Sequence, residues 1–352
     1  MSSQSILSFA PGTPAARLNE WLQFFDTNGT TATQQFLGDT PVIIAHGPGV
    51  DTQAPAALAA PVAKVAVTGD FRLGRRELRP GGTIVRIGDA AVGDGSLNVF
   101  AGPCAVENQQ QMLACADIAA NYGSVGLRGG AFKPRTSPYS FQGLKWAGLE
   151  LLAEARQHTG LPILTEVLDP RHVERVAEIA DGLQIGARNM QNFELLTEVG
   201  RSGRPVVLKR GFGCTVDETL AAAEYVLAQG NDQVILCERG IRTFEHATRF
   251  TLDISAVALM KQRSHLPVMV DPSHSVGIPS LVEPVSMAAA AAGADALLID
   301  VHTAPEQALC DGKQALLPTD FGSLMGKLEL LAMGLGRKMA GVMRPVLADS
   351  ER

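Results

Sequence analysis

The sequence predicts a (β/α)8 TIM barrel preceded by a small ferredoxin-like α+β domain, and three observations predict it. Its 352 residues exceed the roughly 250 that one barrel needs by enough for a second, smaller domain. From Leu97 onward, eight short apolar runs alternate with amphipathic stretches of ten or more residues, the pattern of repeated βα units with parallel strands. Nearly every run ends in a polar or charged residue, as expected where the reactive groups of a barrel gather at the C-terminal ends of its strands.

Taken in order, Ser5 to Phe9 reads as a strand, Ala15 to Asp26 as a helix, and Ala32 to Leu37 and Pro41 to Ala45 as two strands. Ala56 to Pro61 reads as a short helix and Ala63 to Val67 as a last strand. The resulting order, βαββαβ, is ferredoxin-like. Residues 1–69 are assigned to this domain, 70–82 to a polar, Arg-rich linker, and 83–352 to the barrel. Thr83 to Ile87 and Ala90 to Val92 flank Gly88-Asp89 and form a hairpin, placed to plug the barrel's bottom. The barrel strands are Leu97 to Ala101, Val125 to Gly129, Pro162 to Glu166, Gly182 to Ile185, Pro205 to Lys209, Gln233 to Cys237, Pro267 to Val270 and Ala296 to Ile299. Between them, Gln109 to Asn121, Leu144 to Gln157 and Val216 to Ala228 repeat apolar residues at helical spacing. Neither GxGxxG nor a Walker A pattern supports a nucleotide-binding fold.

Composition sets limits on function. Charged residues make up 19% and hydrophobic ones 46%, suited to a folded α/β enzyme rather than a disordered chain. A formal charge of −6 argues against general affinity for nucleic acid, so any anion site is local. Cysteines at 104, 115, 214, 237 and 310 have neither CxxC spacing nor the density of a disulfide scaffold, and read as reduced thiols of a cytoplasmic protein. No stretch reads as an export signal or membrane span.

The strand ends carry the chemistry. They supply Cys104 in AGPCAVEN, Arg128, Lys133 and Arg135 in LRGGAFKPRTSPYSFQG, Glu166 in TEVLDP and Arg188 in QIGARNMQN. Lys209 and Arg210 follow in LKRGF, Glu238 and Arg239 in CERGIRTFE, His274 in DPSHS, Asp300 and His302 in LIDVH, and Asp311 in CDGKQ. Arg128, Lys133, Arg135, Arg188, Lys209 and Arg239 would converge on one mouth, where unpaired cations repel one another unless phosphate or carboxylate groups accept their hydrogen bonds. Ion pairs with surrounding helices are the structural alternative. Cys104, His274, Asp300 and Asp311 form a second set. Its mixed S, N and O donors suit Mn²⁺, Fe²⁺, Co²⁺ or Zn²⁺ better than Mg²⁺. Taken singly, a Cys or His at a strand end is more often a core residue. The other four cysteines read as structural, with Cys310, beside Asp311, an oxidisable neighbour of the site.

Together, AGPCAVEN, LRGGAFKPRTSPYSFQGL, QIGARNMQNFELL, LKRGF, ILCERGIRTFE, DISAV, VDPSHS and DGKQ closely resemble the type I-beta 3-deoxy-D-arabino-heptulosonate 7-phosphate (DAHP) synthases, over about residues 83 to 340. The N-terminal region resembles that family's ferredoxin-like regulatory domain more loosely. The resemblance implies condensation of phosphoenolpyruvate with D-erythrose 4-phosphate and water to give DAHP and phosphate, the entry to the shikimate pathway and aromatic amino-acid biosynthesis. It implies a divalent metal held by Cys104, His274, Asp300 and Asp311. Arg128, Lys133, Arg188, Lys209 and Arg239 would bind phosphoenolpyruvate, and Arg135, Thr136 and Ser137 the aldose phosphate. Lys133 and Glu166, with His274, are the expected catalytic groups, the first two for proton transfer. The related 3-deoxy-octulosonate 8-phosphate synthases usually differ where this chain has KPRTS, which favours the four-carbon aldehyde. A homo-oligomer, tetramer or dimer, and feedback by Tyr or Phe through the N-terminal domain are implied in the same way, a structural appendage being the alternative.

One residue departs from the family pattern. Asp300 stands where the family usually has Glu, and its carboxylate reaches about 1.3 to 1.5 Å less. Two alternatives follow: a paralogue using another aldose phosphate, and a low-activity barrel serving as a binding partner, for example of a chorismate mutase.

Overall fold

The computed structural model describes residues 4–342 apart from 48, 68 and 70. Asp70, the first residue of the expected linker, therefore lies outside the described residues, as do positions 1–3 and 343–352 at the ends of the expected domains. The chain opens with β1 (Gln4–Ser8), α1 (Ala15–Thr27), β2 (Thr31–Leu37), β3 (Thr40–His46) and β4 (Ala63–Ala66). The strands pair in the order β2-β3-β1-β4, and every pairing is antiparallel, as in a ferredoxin-like sheet. Helix α1 turns Leu18, Trp21 and Phe25 onto one face, where they pack with Leu7, Phe9, Ile43 and Ala45. The second helix of the expected order does not form. Residues 51–62 instead run in turns and irregular backbone, because the five residues between Pro55 and Pro61 cannot repay helix nucleation. The Trp21 indole N–H also claims the Ala59 carbonyl at 2.8 Å.

Residues 71–82 follow the barrel wall rather than solvent. The Glu224 carboxylate accepts the N–H groups of Arg72, Leu73 and Gly74, each at 2.9 Å, while Phe71, Leu73 and Leu78 are buried. Arg79 ties the N-terminal sheet to the barrel, pairing with Asp232 at 2.7 Å and Thr40 Oγ1 at 2.9 Å.

Strands β5 (Val85–Ile87) and β6 (Ala90–Val92) then form the expected hairpin. Gly88 is at φ +56°, and a Cβ there would lie 2.6 Å from Pro162 Cβ; both the turn and the close approach call for glycine. The hairpin side chains Val85, Ile87, Ala90 and Val92 pack against Phe100, Leu164, Val207, Ile235, Met269 and Leu298 inside the barrel, closing its bottom.

The barrel consists of β7 (Asn98–Gly102), β8 (Gly126–Arg128), β9 (Ile163–Glu166), β10 (Gly182–Ile185), β11 (Val206–Lys209), β12 (Val234–Glu238), β13 (Val268–Val270) and β14 (Ala296–Asp300). All pairings are parallel, and the circle closes with β14 on β7 and β9 on β10. Each strand alternates between the barrel interior and the surrounding helices. Phe100, Leu164, Val207, Cys237, Met269 and Leu298 point in, while Leu97, Val99, Leu208, Leu236, Val270 and Ile299 pack outward. Among the described residues, no helix is long and apolar enough to cross a membrane.

Candidate active site

The period-2 alternation places the site. Two residues beyond an inward-facing apolar side chain, the next one also points inward, now at the open mouth. From Leu164, Val207, Cys237, Met269 and Leu298 this rule delivers Glu166, Lys209, Arg239, Asp271 and Asp300 to one cavity floor. All five are at most 6% exposed. The same rule turns Arg210 and Glu238 outward, where they pair with each other at 2.9 Å and Arg210 also meets Asp253 at 3.0 Å. Loop residues finish the cavity, of about 230 Å³, with Lys133, Arg135, Thr136, Ser137, Arg188, Phe212 and Arg249 among those lining it.

Several cations have partners. Arg128 lies 2.9 Å from Asp300 and donates to the Pro103 carbonyl at 2.7 Å. Lys209 pairs closely with Asp271. The Lys133 ammonium donates to the Cys104 carbonyl at 3.0 Å and lies 3.2 Å from its sulfur. Arg188 reaches Thr136 at 3.3 Å. Arg239 differs. It is 4% exposed, lies over the rings of Phe212 and Phe250, and among the described residues its Nη1 has no hydrogen-bond partner. Burial pulls its pKa down to about 10 against the attraction of Asp271, so the site holds a guanidinium whose desolvation is only partly offset.

His274 sits on the one-turn helix Pro272–Val276, which follows β13. Asp271 caps that helix by accepting the His274 N–H at 2.9 Å. It also lies 3.0 Å from the ring Nδ1. Nδ1–H donating to Asp271 leaves the Nε2 lone pair directed at Cys104 and Asp311. Burial opposes charge on the ring, but Asp271 and Asp300 outweigh it and move the His274 pKa up. Nε2 lies 3.6 Å from Cys104 Sγ and 3.6 Å from Asp311 Oδ2, and those two are 3.4 Å apart. Donors bound tetrahedrally at about 2.0 to 2.3 Å from one ion stand about 3.3 to 3.8 Å apart. Cys104, His274 and Asp311 thus fit three positions around a divalent metal. The carboxylate of Asp311 is shifted well down: burial opposes this, and His274 and Arg249 prevail.

Asp300 is engaged otherwise. Its Oδ2 accepts from Gln314 Nε2 at 2.6 Å and lies 3.5 Å from His274 Nδ1, while Oδ1 faces Arg128. That last contact is close but outside hydrogen-bond geometry, since Oδ1 lacks a hydrogen-bond partner.

A family model described as the DAHP synthetase I family matches residues 64–331. The chain belongs to that family. It is 50% identical over 275 residues to the phospho-2-dehydro-3-deoxyheptonate aldolase of Thermotoga maritima, covering 78% of this chain and 81% of that protein. A 2-dehydro-3-deoxyphosphooctonate aldolase of Geobacter sulfurreducens is 32% identical over 269 residues, covering 70% of this chain and 97% of that one. The crystal structure of the Thermotoga maritima DAHP synthase superposes with a TM-score of 0.76 at 43% identity, covering 96% of this chain and 99% of that chain.

The site residues that the resemblance implies lie together at the barrel mouth. Four neighbours were not singled out as part of the site. Asp271 was inside a quoted motif, and its parity with Met269 already places it inward. Arg249 meets Asp311 at 3.3 Å and Gln314 at 2.7 Å, yet lies in an irregular loop whose path no periodicity fixes. Gln314 belongs to such a loop too. Cys310, expected as an oxidisable neighbour of the site, stands within it: its sulfur is 3.5 Å from that of Cys104 and beside Arg135. The Cys104–Cys310 contact and burial push the Cys104 thiol up, while the same contact lowers Cys310. Cys115 and Cys237 are core residues. His302 points away, 4.0 Å from Glu107.

Proposed function

We propose that the barrel mouth condenses phosphoenolpyruvate with D-erythrose 4-phosphate and water, releasing DAHP and phosphate, at the entrance to aromatic amino-acid biosynthesis. The observation that carries this reading is the buried Arg239 Nη1 without a partner, in a cavity whose cations outnumber its carboxylates although the chain as a whole is at −6. A small polyanion supplies the missing acceptors.

In this reading Arg239, Lys209 and Arg128 cradle phosphoenolpyruvate, with Arg188 at the rim. Arg135, Thr136 and Ser137, on the loop after β8, take the phosphate of the aldose. Cys104, His274 and Asp311, with Asp300 as the fourth expected ligand, would hold a divalent ion, whose chemistry there would be Lewis acidity toward the aldehyde oxygen. Held face to face, C3 of phosphoenolpyruvate attacks the aldehyde carbon, and water adds at C2 before phosphate leaves with the original C2 oxygen. Glu166 accepts a proton from that water, and Lys133 delivers one to the new hydroxyl oxygen.

The relatives with the octulosonate name give a second reading a specific footing, namely a longer aldose phosphate. The KPRTS sequence favours the shorter one. Incubating the protein with Mn²⁺, Co²⁺, Fe²⁺ or Zn²⁺, phosphoenolpyruvate and either erythrose 4-phosphate or arabinose 5-phosphate, while following vinyl absorbance and phosphate, decides. Turnover with neither aldose under any of the metals refutes an active synthase, and tight phosphoenolpyruvate binding without turnover revives the binding-partner alternative. The reading extends to a cytoplasmic homo-oligomer, dimer or tetramer, inhibited by Tyr or Phe through the N-terminal sheet. Retention of inhibition after deletion of residues 1–80 refutes that last element.

A further inference from the structure

Two side chains compete for the position beside Cys104, His274 and Asp311. Distance alone does not choose between them: donor atoms of Cys104, His274 and Asp300 lie within 4.8 Å of one another, and so do those of Cys104, Cys310 and Asp311. Their other contacts do choose. Asp300 is fully buried, with one oxygen 2.9 Å from Arg128 and the other accepting from Gln314 at 2.6 Å. Its nearest approach to His274 is to Nδ1, at 3.5 Å, whereas Nε2 is the nitrogen that faces Cys104 and Asp311. Swinging Asp300 to the Nε2 side would strip Arg128, itself 3% exposed, of its carboxylate. The missing methylene of Asp300 makes that reach longer still.

Cys310 carries no such obligation. Its sulfur stands 3.5 Å from that of Cys104, close to the edge of about 3.8 Å between two thiolates on one tetrahedral ion. It follows β14 on the same loop as Asp311, so the two adjacent residues present their donors together. Arg135 donates to its sulfur, a contact suited to thiolate.

We propose that Cys310 is a metal ligand, forming with Cys104, His274 and Asp311 a two-sulfur site, and that Asp300 anchors Arg128 instead. This rests on the metal-dependent reading above. A second thiolate softens the donor set and shifts preference from Mn²⁺ toward Zn²⁺ and Co²⁺.

The test uses the full chain, stripped with chelator and loaded with Co²⁺, whose sulfur-to-metal charge-transfer absorption scales with the number of bound thiolates. Cys310→Ser should bring that band to about half its wild-type intensity, and Asp300→Asn should leave it unchanged. Undiminished absorption in Cys310→Ser, or loss of it in Asp300→Asn with the fold intact by circular dichroism, overturns the proposal. X-ray absorption of the wild-type Zn²⁺ form needs no variant: two sulfur neighbours at about 2.3 Å support it, and one refutes it. A chain that binds neither ion at this site overturns both this proposal and the metal-dependent reading, whereas a one-sulfur site overturns only the proposal.

Discussion

Acidifying the protein from pH 7 to pH 4 should destabilise it through one histidine far from the active site. His265 is 1% exposed at the bottom of the barrel, between the helix Ile254–Arg263 and β13. Its Nε2 is 2.8 Å from the Leu73 carbonyl and its Nδ1 2.8 Å from Thr83 Oγ1. The carbonyl can only accept, so Nε2 carries the proton and Nδ1 accepts from the threonine. A second ring proton would turn that hydroxyl from donor to acceptor inside an apolar site. Burial accordingly pulls the His265 pKa from 6.5 down to about 4. The unfolded chain takes up a proton near pH 6.5 and the folded chain does not until about pH 4, so stability falls with pH across that window and changes no further below it through this group. The shift corresponds to about 3 kcal/mol. The assay is the difference in unfolding free energy between wild type and His265→Gln at steps from pH 7 to pH 4, which cancels the carboxylates titrating in the same range. Gln keeps one donor and one acceptor without a titrating ring. A difference independent of pH, or a ring pKa near 6.5 by NMR, would refute the argument.

Three further outcomes follow from contacts already described. A Cβ on Gly186 would lie 2.0 Å from Glu166 Oε1, so Gly186→Ala should displace that carboxylate and lower kcat by about 100-fold, within the range for a misplaced acid or base, while the calorimetric Kd for phosphoenolpyruvate changes little. Arg239→Met removes a buried cation with an unpaired nitrogen; the ligand-free protein should melt no lower than wild type, and phosphoenolpyruvate should bind about 30-fold more weakly for about 2 kcal/mol of lost charge-assisted hydrogen bonding. Melting well below wild type with unchanged affinity would contradict the assignment. Glu224→Gln offers one acceptor oxygen in place of two to the N–H groups of residues 72–74; the loss of about 1 to 3 kcal/mol should appear as faster tryptic cleavage among Arg72, Arg75, Arg76 and Arg79, and an unchanged rate would count against Glu224 as the clasp.

Legibility in the sequence followed periodicity. Eight strands and the bottom hairpin were readable because buried β-segments are short, β-branched and bounded by helical spacing or turn residues, and the eight emerge within a residue or two of expectation. Periodicity also separates neighbours that composition cannot. In LKRGF and CERGIR the charged pairs look equivalent, but Val207 and Cys237 face inward, and only Lys209 and Arg239 share their parity. The failures lie where no period operates. Ala56 to Pro61 is rich in good helix formers, yet it is too short to nucleate and its carbonyls are used elsewhere. Arg249, Cys310 and Gln314 come from loops, and their convergence on Asp311 and Asp300 depends on three-dimensional closure.

The cations of the mouth fall into two electrostatic classes, and that division explains how the fold tolerates them before substrate arrives. Lys209, Arg128 and Arg249 each have a carboxylate, in Asp271, Asp300 and Asp311 respectively. Those carboxylates in turn surround His274, so the groups that hold the basic floor also orient its imidazole. Perturbing Asp271 or Asp311 should therefore disturb anion binding and metal binding together, whereas Asp300 acts through Arg128 alone. Arg239 feels Asp271 only at longer range: among the described residues no salt bridge holds it, and its Nη1 is left without an acceptor. Placing the deficit on a residue held against the stacked rings of Phe212 and Phe250 keeps the guanidinium in one orientation while unpaired. Binding energy from an incoming carboxylate or phosphate is then gained at a fixed point rather than spent on ordering a free side chain. On this argument Arg239→Lys should fail to rescue Arg239→Met in phosphoenolpyruvate affinity, because the ammonium lacks the planar fork that the rings hold; full rescue would show that charge alone suffices.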